Sequence, residues 1–259
     1  MLHPPIRIAL VQTALHWQAP AQNRAHLEEM LEDVAGLADL VVLPEMFTTG
    51  FSMDTRAAEV MNTDTCRWLR MTADRLGAAV VGSVMTADKG AYYNRQLVAR
   101  PGQPLLWYDK RHLFRMAGEH EHYRPGTDRL IFEHLGWRIC PLVCYDLRFP
   151  VFSRNHPQAY DLLLYTANWP ARRALAWQTL LPARAIENLA YCAGVNRIGQ
   201  DGNGHDYAGD SALFSYNGTP LVQLGGQNKI GLASLSYADL AEYRQIFPAW
   251  QDADDFTIL

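Results

Sequence analysis

Ile139-Cys140-Pro141-Leu142-Val143-Cys144-Tyr145-Asp146-Leu147-Arg148-Phe149-Pro150 starts as a continuous apolar run and turns polar at Cys144. A short apolar run bounded by polar residues and proline reads as a buried strand. Cys144 then stands at the strand end, held rigidly yet able to face a pocket. Two charged residues take comparable places upstream. Glu45 closes Leu40-Val41-Val42-Leu43-Pro44-Glu45, and Lys110 follows Pro104-Leu105-Leu106-Trp107-Tyr108-Asp109. A thiol, a carboxylate and an ammonium, each set after a hydrophobic run, form a candidate nucleophile, base and oxyanion stabiliser.

The rest of the chain alternates strands and helices around these three points. Ile6 to Gln12 reads as a strand. Asn23 is a candidate cap for a helix whose inner face carries Leu27, Met30, Leu31 and Val34. Leu40 to Leu43 is a strand, Thr65 to Leu76 a helix, and Ala78 to Val84 a buried strand. Tyr92 to Ala99 and Leu105 to Tyr108 flank Pro101-Gly102 and are expected to form a hairpin. Further strands are expected at Leu162 to Tyr165, Tyr191 to Asn196, Ser211 to Phe214, Pro220 to Leu224 and Ile230 to Leu235. Residues 173–190 read as helical, with Pro182 either kinking the helix or opening a new one. Residues 237–247 read as a last amphipathic helix. Intervening hairpins rule against a purely parallel sheet and favour a mixed-sheet α/β fold. No repeat or composition shift marks a linker, so residues 1–259 read as one domain with a C-terminal tail from about 237.

Hydrophobic residues make up 49% of the 259, enough for an extensive core, and charged residues 19%. Net charge is −4 with no long basic block, which argues against nucleic acid as a partner. No apolar run approaches the roughly 20 residues of a membrane span. Met1 to Arg7 lacks the features of a signal peptide, so a cytoplasmic location and reduced thiols are expected.

Each candidate has a structural alternative. Cys66, Cys140 and Cys192 lie in helical or apolar runs and read as inert core thiols. Cys140 and Cys144 lack the second Cys or His pair that zinc would need. Glu45 is either a buried proton-transfer group or a solvated strand end. Lys110 could belong to a charged loop, Asp109-Lys110-Arg111-His112. Most of the nine histidines lie in polar loops; His112 is the best partner for a Cys–His pair, though a structural hydrogen bond suits it better. The glycine-rich stretch 199–209 lacks both phosphate-loop lysine and dinucleotide fingerprint and reads as turns.

Taken in order, Leu43-Pro44-Glu45-Met46-Phe47, Asp109-Lys110-Arg111-His112-Leu113-Phe114, Cys144 to Pro150, Asn168-Trp169-Pro170, Arg184 to Asn188 and Gly194-Val195-Asn196-Arg197 resemble the nitrilase, or carbon–nitrogen hydrolase, superfamily. The likeness runs from about residue 6 to about residue 235. It implies a four-layer αββα sandwich with mixed sheets and a Cys–Glu–Lys set: Cys144 as nucleophile, Glu45 as general base, Lys110 as oxyanion stabiliser. It implies a second active-site glutamate before Pro125-Gly126. Glu119 has the matching spacing and Glu121 is the alternative. The Cys-Tyr-Asp-Leu-Arg-Phe-Pro version looks like the omega-amidase branch, which implies hydrolysis of 2-oxo dicarboxylic acid monoamides through a cysteinyl thioester. Related branches cleave other small amides, including deaminated glutathione, or nitriles, and some members could serve as non-catalytic modules. The resemblance implies no metal or organic cofactor, a small-molecule amide as partner, and a homo-oligomer, most simply a dimer. Arg148 is a candidate for binding substrate carboxylate, or else a structural partner of Asp146. Phe47, Tyr145 and Trp169 could line the pocket or the core. Phe247-Pro248-Ala249-Trp250 could cross to a neighbouring subunit, or Trp250 could fold back on its own domain.

Overall fold

Ile6–Gln12 and Leu40–Val42 are almost wholly buried, so each needs a layer on both faces. The computed structural model describes residues 3–257 and supplies those layers. The chain runs through β1 (Ile6–Gln12), α1 (Pro20–Met30), β2 (Leu40–Val42), β3 (Glu59–Val60), α2 (Asp64–Leu76), β4 (Ala79–Asp88), β5 (Ala91–Ala99) and β6 (Leu106–Asp109). It continues through α3 (Glu119–His122), β7 (Phe132–His134), β8 (Trp137–Val143), α4 (Pro150–Ser153), β9 (Leu162–Ala167), α5 (Ala174–Asn188) and β10 (Tyr191–Asn196). The last elements are β11 (Ile198–Gln200), β12 (Asp206–Ala208), β13 (Ala212–Phe214), β14 (Pro220–Gln223), β15 (Lys229–Leu235) and α6 (Tyr237–Ile246).

Two mixed sheets result. The first has the order β15-β1-β2-β4-β5-β6, with β3 beside β4; the second has the order β14-β13-β10-β9-β8-β7. In the first, β1, β2 and β4 are parallel and flanked by antiparallel strands. In the second, β8, β9 and β10 play the same part. Three of the apolar clusters fill the spaces between layers. Ile8, Leu10 and Val81 meet Ile139, Leu164 and Ala193 between the sheets. Leu27 of α1 and Leu69 and Ala73 of α2 cover Val41 and Val80 on one outer face. Trp177, Leu181 and Ala185 of α5 cover Leu163 and Tyr165 on the other. The layer order is therefore α, β, β, α, as the sequence resemblance implied. Among the described residues no helix is long and apolar enough to cross a membrane.

Two local expectations change. Asn23 does not cap α1; the helix begins at Pro20, whose fixed φ suits a first helical position. Asn23 is instead buried inside it, accepting from His16 N at 2.8 Å and donating to the carbonyls of His16 and Thr48, both at 2.7 Å. Of the two readings of Pro182, a new helix is excluded, for α5 runs through it. A mid-helix proline costs about 3 kcal/mol; burying Trp177 and Leu181 on either side offsets this at about 1.5–3 kcal/mol each. Trp250 lines a shallow hollow with Ile186 and Leu189 of its own chain.

Candidate active site

The parallel strands of both sheets present their carboxyl ends to one edge of the sandwich, where α/β folds build their sites. Glu45 lies three residues beyond β2, Lys110 directly follows β6, and Cys144 directly follows β8. The first two come from one sheet and the thiol from the other. Lys110 is anchored by its backbone, its N–H donating to Asn94 O and its carbonyl accepting from Gly126 N, each at 3.0 Å. Gly126 is required there: a Cβ would stand 2.1 Å from the carbonyl oxygen of Asp109.

Glu45, Lys110 and Glu119 are all essentially inaccessible. The Lys110 ammonium donates to Glu45 Oε1 at 2.9 Å and to Glu119 Oε1 and Oε2 at 3.1 and 3.0 Å. Asn94 on β5 ties the carboxylates together, donating to Glu45 Oε1 at 2.7 Å and Glu119 Oε1 at 3.1 Å. Ser83 on β4 fixes the Asn94 amide by donating to Oδ1 at 2.8 Å. The other oxygen of Glu45 accepts from Asn168 N at 2.8 Å. Each buried charge thus has several partners, as burial demands. Burial works against the charge on Lys110, but Glu119 and then Glu45 prevail and raise its pKa. Burial raises the pKa of Glu119 despite the opposing pull of Lys110. Burial and then Glu45 push the Cys144 thiol well above its usual range, against Lys110.

Cys144 opens a 3₁₀ turn, Cys144–Arg148, in a left-handed backbone conformation with φ 44°. Asp146 braces that turn. Its carboxylate accepts from Val143 N at 3.0 Å, from Tyr108 Oη at 2.8 Å and from His112 N at 3.1 Å, and meets His112 Nδ1 at 2.7 Å. The His112 ring stacks on Phe149 at 3.8 Å between centroids. His112 therefore belongs to the support of the turn. The thiol lies 3.9 Å from the Asn168 carbonyl. It opens, with Lys110, onto a cavity of about 450 Å³.

The carbon–nitrogen hydrolase family profile matches residues 7–245, nearly the whole chain. The chain belongs to the carbon–nitrogen hydrolase family. This hydrolase is 49% identical over 256 residues to the omega-amidase YafV of Escherichia coli strain K12, spanning 98% of this chain and 99% of that protein. It is 32% identical over 250 residues to the 2-oxoglutaramate amidase of Bacillus subtilis strain 168, spanning 95% and 96% of the two chains. Its fold superposes with a TM-score of 0.96 on a CN-hydrolase superfamily protein of Xanthomonas campestris, 49% identical and crystallised with an arsenic adduct in its active site. That match covers 99% of this chain and 100% of the other.

Within the hydrolase, Tyr145, Arg148 and Trp169 line the cavity. Phe47 does not. It is fully buried behind the site, packed against Trp68 at 5.8 Å between ring centroids. The cause is Gly82 on β4, where an added Cβ would meet Phe47 Cδ1 at 2.8 Å. The bare glycine leaves the ring a slot in the core. Of the two glutamates before Pro125-Gly126, Glu119 is buried on Lys110 and Glu121 is exposed. Arg148 does not pair with Asp146, whose oxygens are taken as above. Its guanidinium lies over the Trp169 ring, 4.9 Å from the centroid. Sequence reasoning missed Asn94, a buried amide inside an apolar hairpin strand, whose burial cost was the available signal. It also missed Arg173, Phe51, Phe114 and Tyr207 on the cavity wall, for which strand-end position gives no clue.

Proposed function

We propose that this hydrolase is an omega-amidase, releasing ammonia from the terminal amide of small 2-oxo dicarboxylic acid monoamides such as 2-oxoglutaramate and 2-oxosuccinamate. The observation that carries this reading is the buried Glu45–Lys110–Glu119 cluster set beside Cys144 at the cavity. Near-full-length identity to relatives named omega-amidase and 2-oxoglutaramate amidase supports the substrate class.

Glu45 takes the thiol proton as sulfur attacks the amide carbon, so no free thiolate need accumulate. Negative charge develops on the former carbonyl oxygen. The Lys110 ammonium and the backbone N–H of Tyr145 stabilise it. The tetrahedral intermediate collapses, the C–N bond breaks, and the proton held on Glu45 leaves with ammonia. A thioester to Cys144 remains. Water then attacks, giving a proton to Glu45 and freeing the carboxylic acid and the thiol. Glu119 holds Lys110 in place throughout. Tyr145, Arg148 and Trp169 contact the substrate. The enzyme works in the cytoplasm as a homo-oligomer.

The test is ammonia release from 2-oxoglutaramate, together with intact-protein mass spectrometry of rapidly quenched mixtures. The expected results are ammonia and an acyl adduct on Cys144. An adduct formed with a nitrile of the same skeleton, and none with the amide, would overturn the amidase reading.

A further inference from the structure

The cavity wall carries more positive charge than the chemistry of the amide requires. Arg148, Arg172 and Arg173 all line it, and among the described residues no carboxylate pairs with any of them. The two carboxylates on the wall are already engaged. Asp54 is held by Arg56, and Asp201 accepts from Tyr207 Oη at 2.9 Å and from the backbone N–H groups of Asn203 and His205 at 2.8 and 2.9 Å. The cavity therefore presents unneutralised cations to whatever enters.

Arg173 differs from the other two. Its Nη1 is buried and has no hydrogen-bond partner. Its Nη2 reaches only the thioether sulfur of Met116, at 2.9 Å, a weak acceptor. The guanidinium is held in place over the Phe114 ring, 5.2 Å from the centroid. Burial, then Arg172 and Arg148, weigh against its positive charge and lower its pKa from the usual guanidinium value. Arg173 also stands at the N-cap position of α5, without a side-chain capping bond, at the positive end of the helix dipole. Leaving a buried charged donor unpaired is costly, and a planar fork is completed best by a carboxylate. Arg148 likewise lies over a ring, that of Trp169, but has no buried nitrogen left without a partner.

We infer that Arg173 is the anchor for the substrate's free carboxylate, with Arg148 and Arg172 as flanking charges, so that it selects ω-amides carrying a distal carboxylate over neutral amides. On binding, the carboxylate displaces the sulfur of Met116 from Nη2, and Nη1, closed to solvent in the free protein, becomes its second donor as the side chain shifts. This subsite rests on the omega-amidase reading, and Arg173 is a specificity residue, remote from the bond that breaks.

Two measurements separate the two ideas. The first is kcat/KM for 2-oxoglutaramate relative to pentanamide, in the wild type, Arg173→Gln, Arg173→Lys and Arg148→Gln. Arg173→Gln should reduce the ratio by about 10- to 100-fold, mostly through KM, the range expected when a charged hydrogen bond is lost. Arg173→Lys should restore part of it, and Arg148→Gln should change it less. An unchanged ratio in Arg173→Gln, or a larger loss in Arg148→Gln, overturns the inference. The second is calorimetric binding of 2-oxoglutarate to the Cys144→Ala protein, with and without Arg173→Gln, which needs no turnover. If the wild type releases no ammonia from either amide, the amidase reading falls and calorimetry alone decides the subsite. Binding weakened at least tenfold by Arg173→Gln supports it, and equal binding overturns it. Matching melting temperatures of the variants establish that they are folded.

Discussion

Cys144 adopts a backbone conformation that a non-glycine residue holds at a cost of about 1–3 kcal/mol. The hydrogen bonds gathered by Asp146 offset that cost and keep the sulfur aimed at the cavity. Cys140 and Cys192 are wholly buried within strands, away from any carboxylate–ammonium pair, whereas Cys144 keeps a small exposed face. Cys144→Ala should therefore abolish ammonia release, while Cys140→Ala and Cys192→Ala keep most of it; wild-type rates in Cys144→Ala would sink the thioester mechanism. Since burial and then Glu45 raise the thiol pKa, thiolate is scarce in the free enzyme at neutral pH. Alkylation by iodoacetamide should climb as pH rises through and beyond the ordinary thiol range. Glu45→Gln removes the nearby negative charge, so its alkylation profile should move to lower pH. Its kcat should nevertheless fall about 10²–10⁴-fold, because proton transfer is lost. A Glu45→Gln enzyme with unaltered kcat would leave Glu45 a purely structural role.

Strands and turns, more than single side chains, set where these groups meet. The end of β6 is pressed against Gly126, with no space for a side chain between them. Gly126→Ala must push back the backbone that carries Lys110. We expect kcat to drop at least about tenfold, as small misplacements of catalytic groups do, with a lower melting temperature; normal kinetics would show that the strand end can yield. Asp161, just before β9, makes a second such joint. It accepts from Arg138 Nη2 and Arg244 Nη1, each at 2.8 Å, so it ties β8 to α6. Asp161→Asn breaks a buried charge network, and urea denaturation should show a loss of about 3–5 kcal/mol; a change within error would mean solvent reaches the freed guanidinium of Arg244. The strand ends bearing Glu45, Lys110 and Cys144 were legible from where the apolar runs stop, and it was the ordered family motifs that joined them into one site. Asn94 was not, since only the pairing of β4 with β5 and the packing of the sheets bring it to Glu45, 49 positions away. Phe47 was left open between pocket and core for a similar reason: the slot that holds it is made by an absent Cβ in another strand. Arg173 lacked any pattern, because its role comes from three loops converging on one wall.

The layered architecture as a whole was legible from the alternation of elements and the ordered motifs, but the sequence does not say which outer surfaces remain bare. Ile186 on α5 is 52% exposed, Ile246 at the end of α6 is 73% exposed, and Phe247 just beyond is 53% exposed. Apolar groups clustered on an outer layer point to self-association. Light scattering at micromolar concentration should give at least twice the mass of one chain, and Ile246→Glu with Phe247→Glu should reduce it. A monomeric wild type would refute the proposed assembly. The division of the site between the two sheets has a different consequence. On the proposed mechanism neither sheet alone makes a hydrolytic centre, since one lacks the sulfur and the other lacks the base and the ammonium. During refolding, a half-formed chain would be chemically silent, and the first turnover would report the moment the two halves close on each other. Catalysis is in that sense this protein's own certificate of assembly.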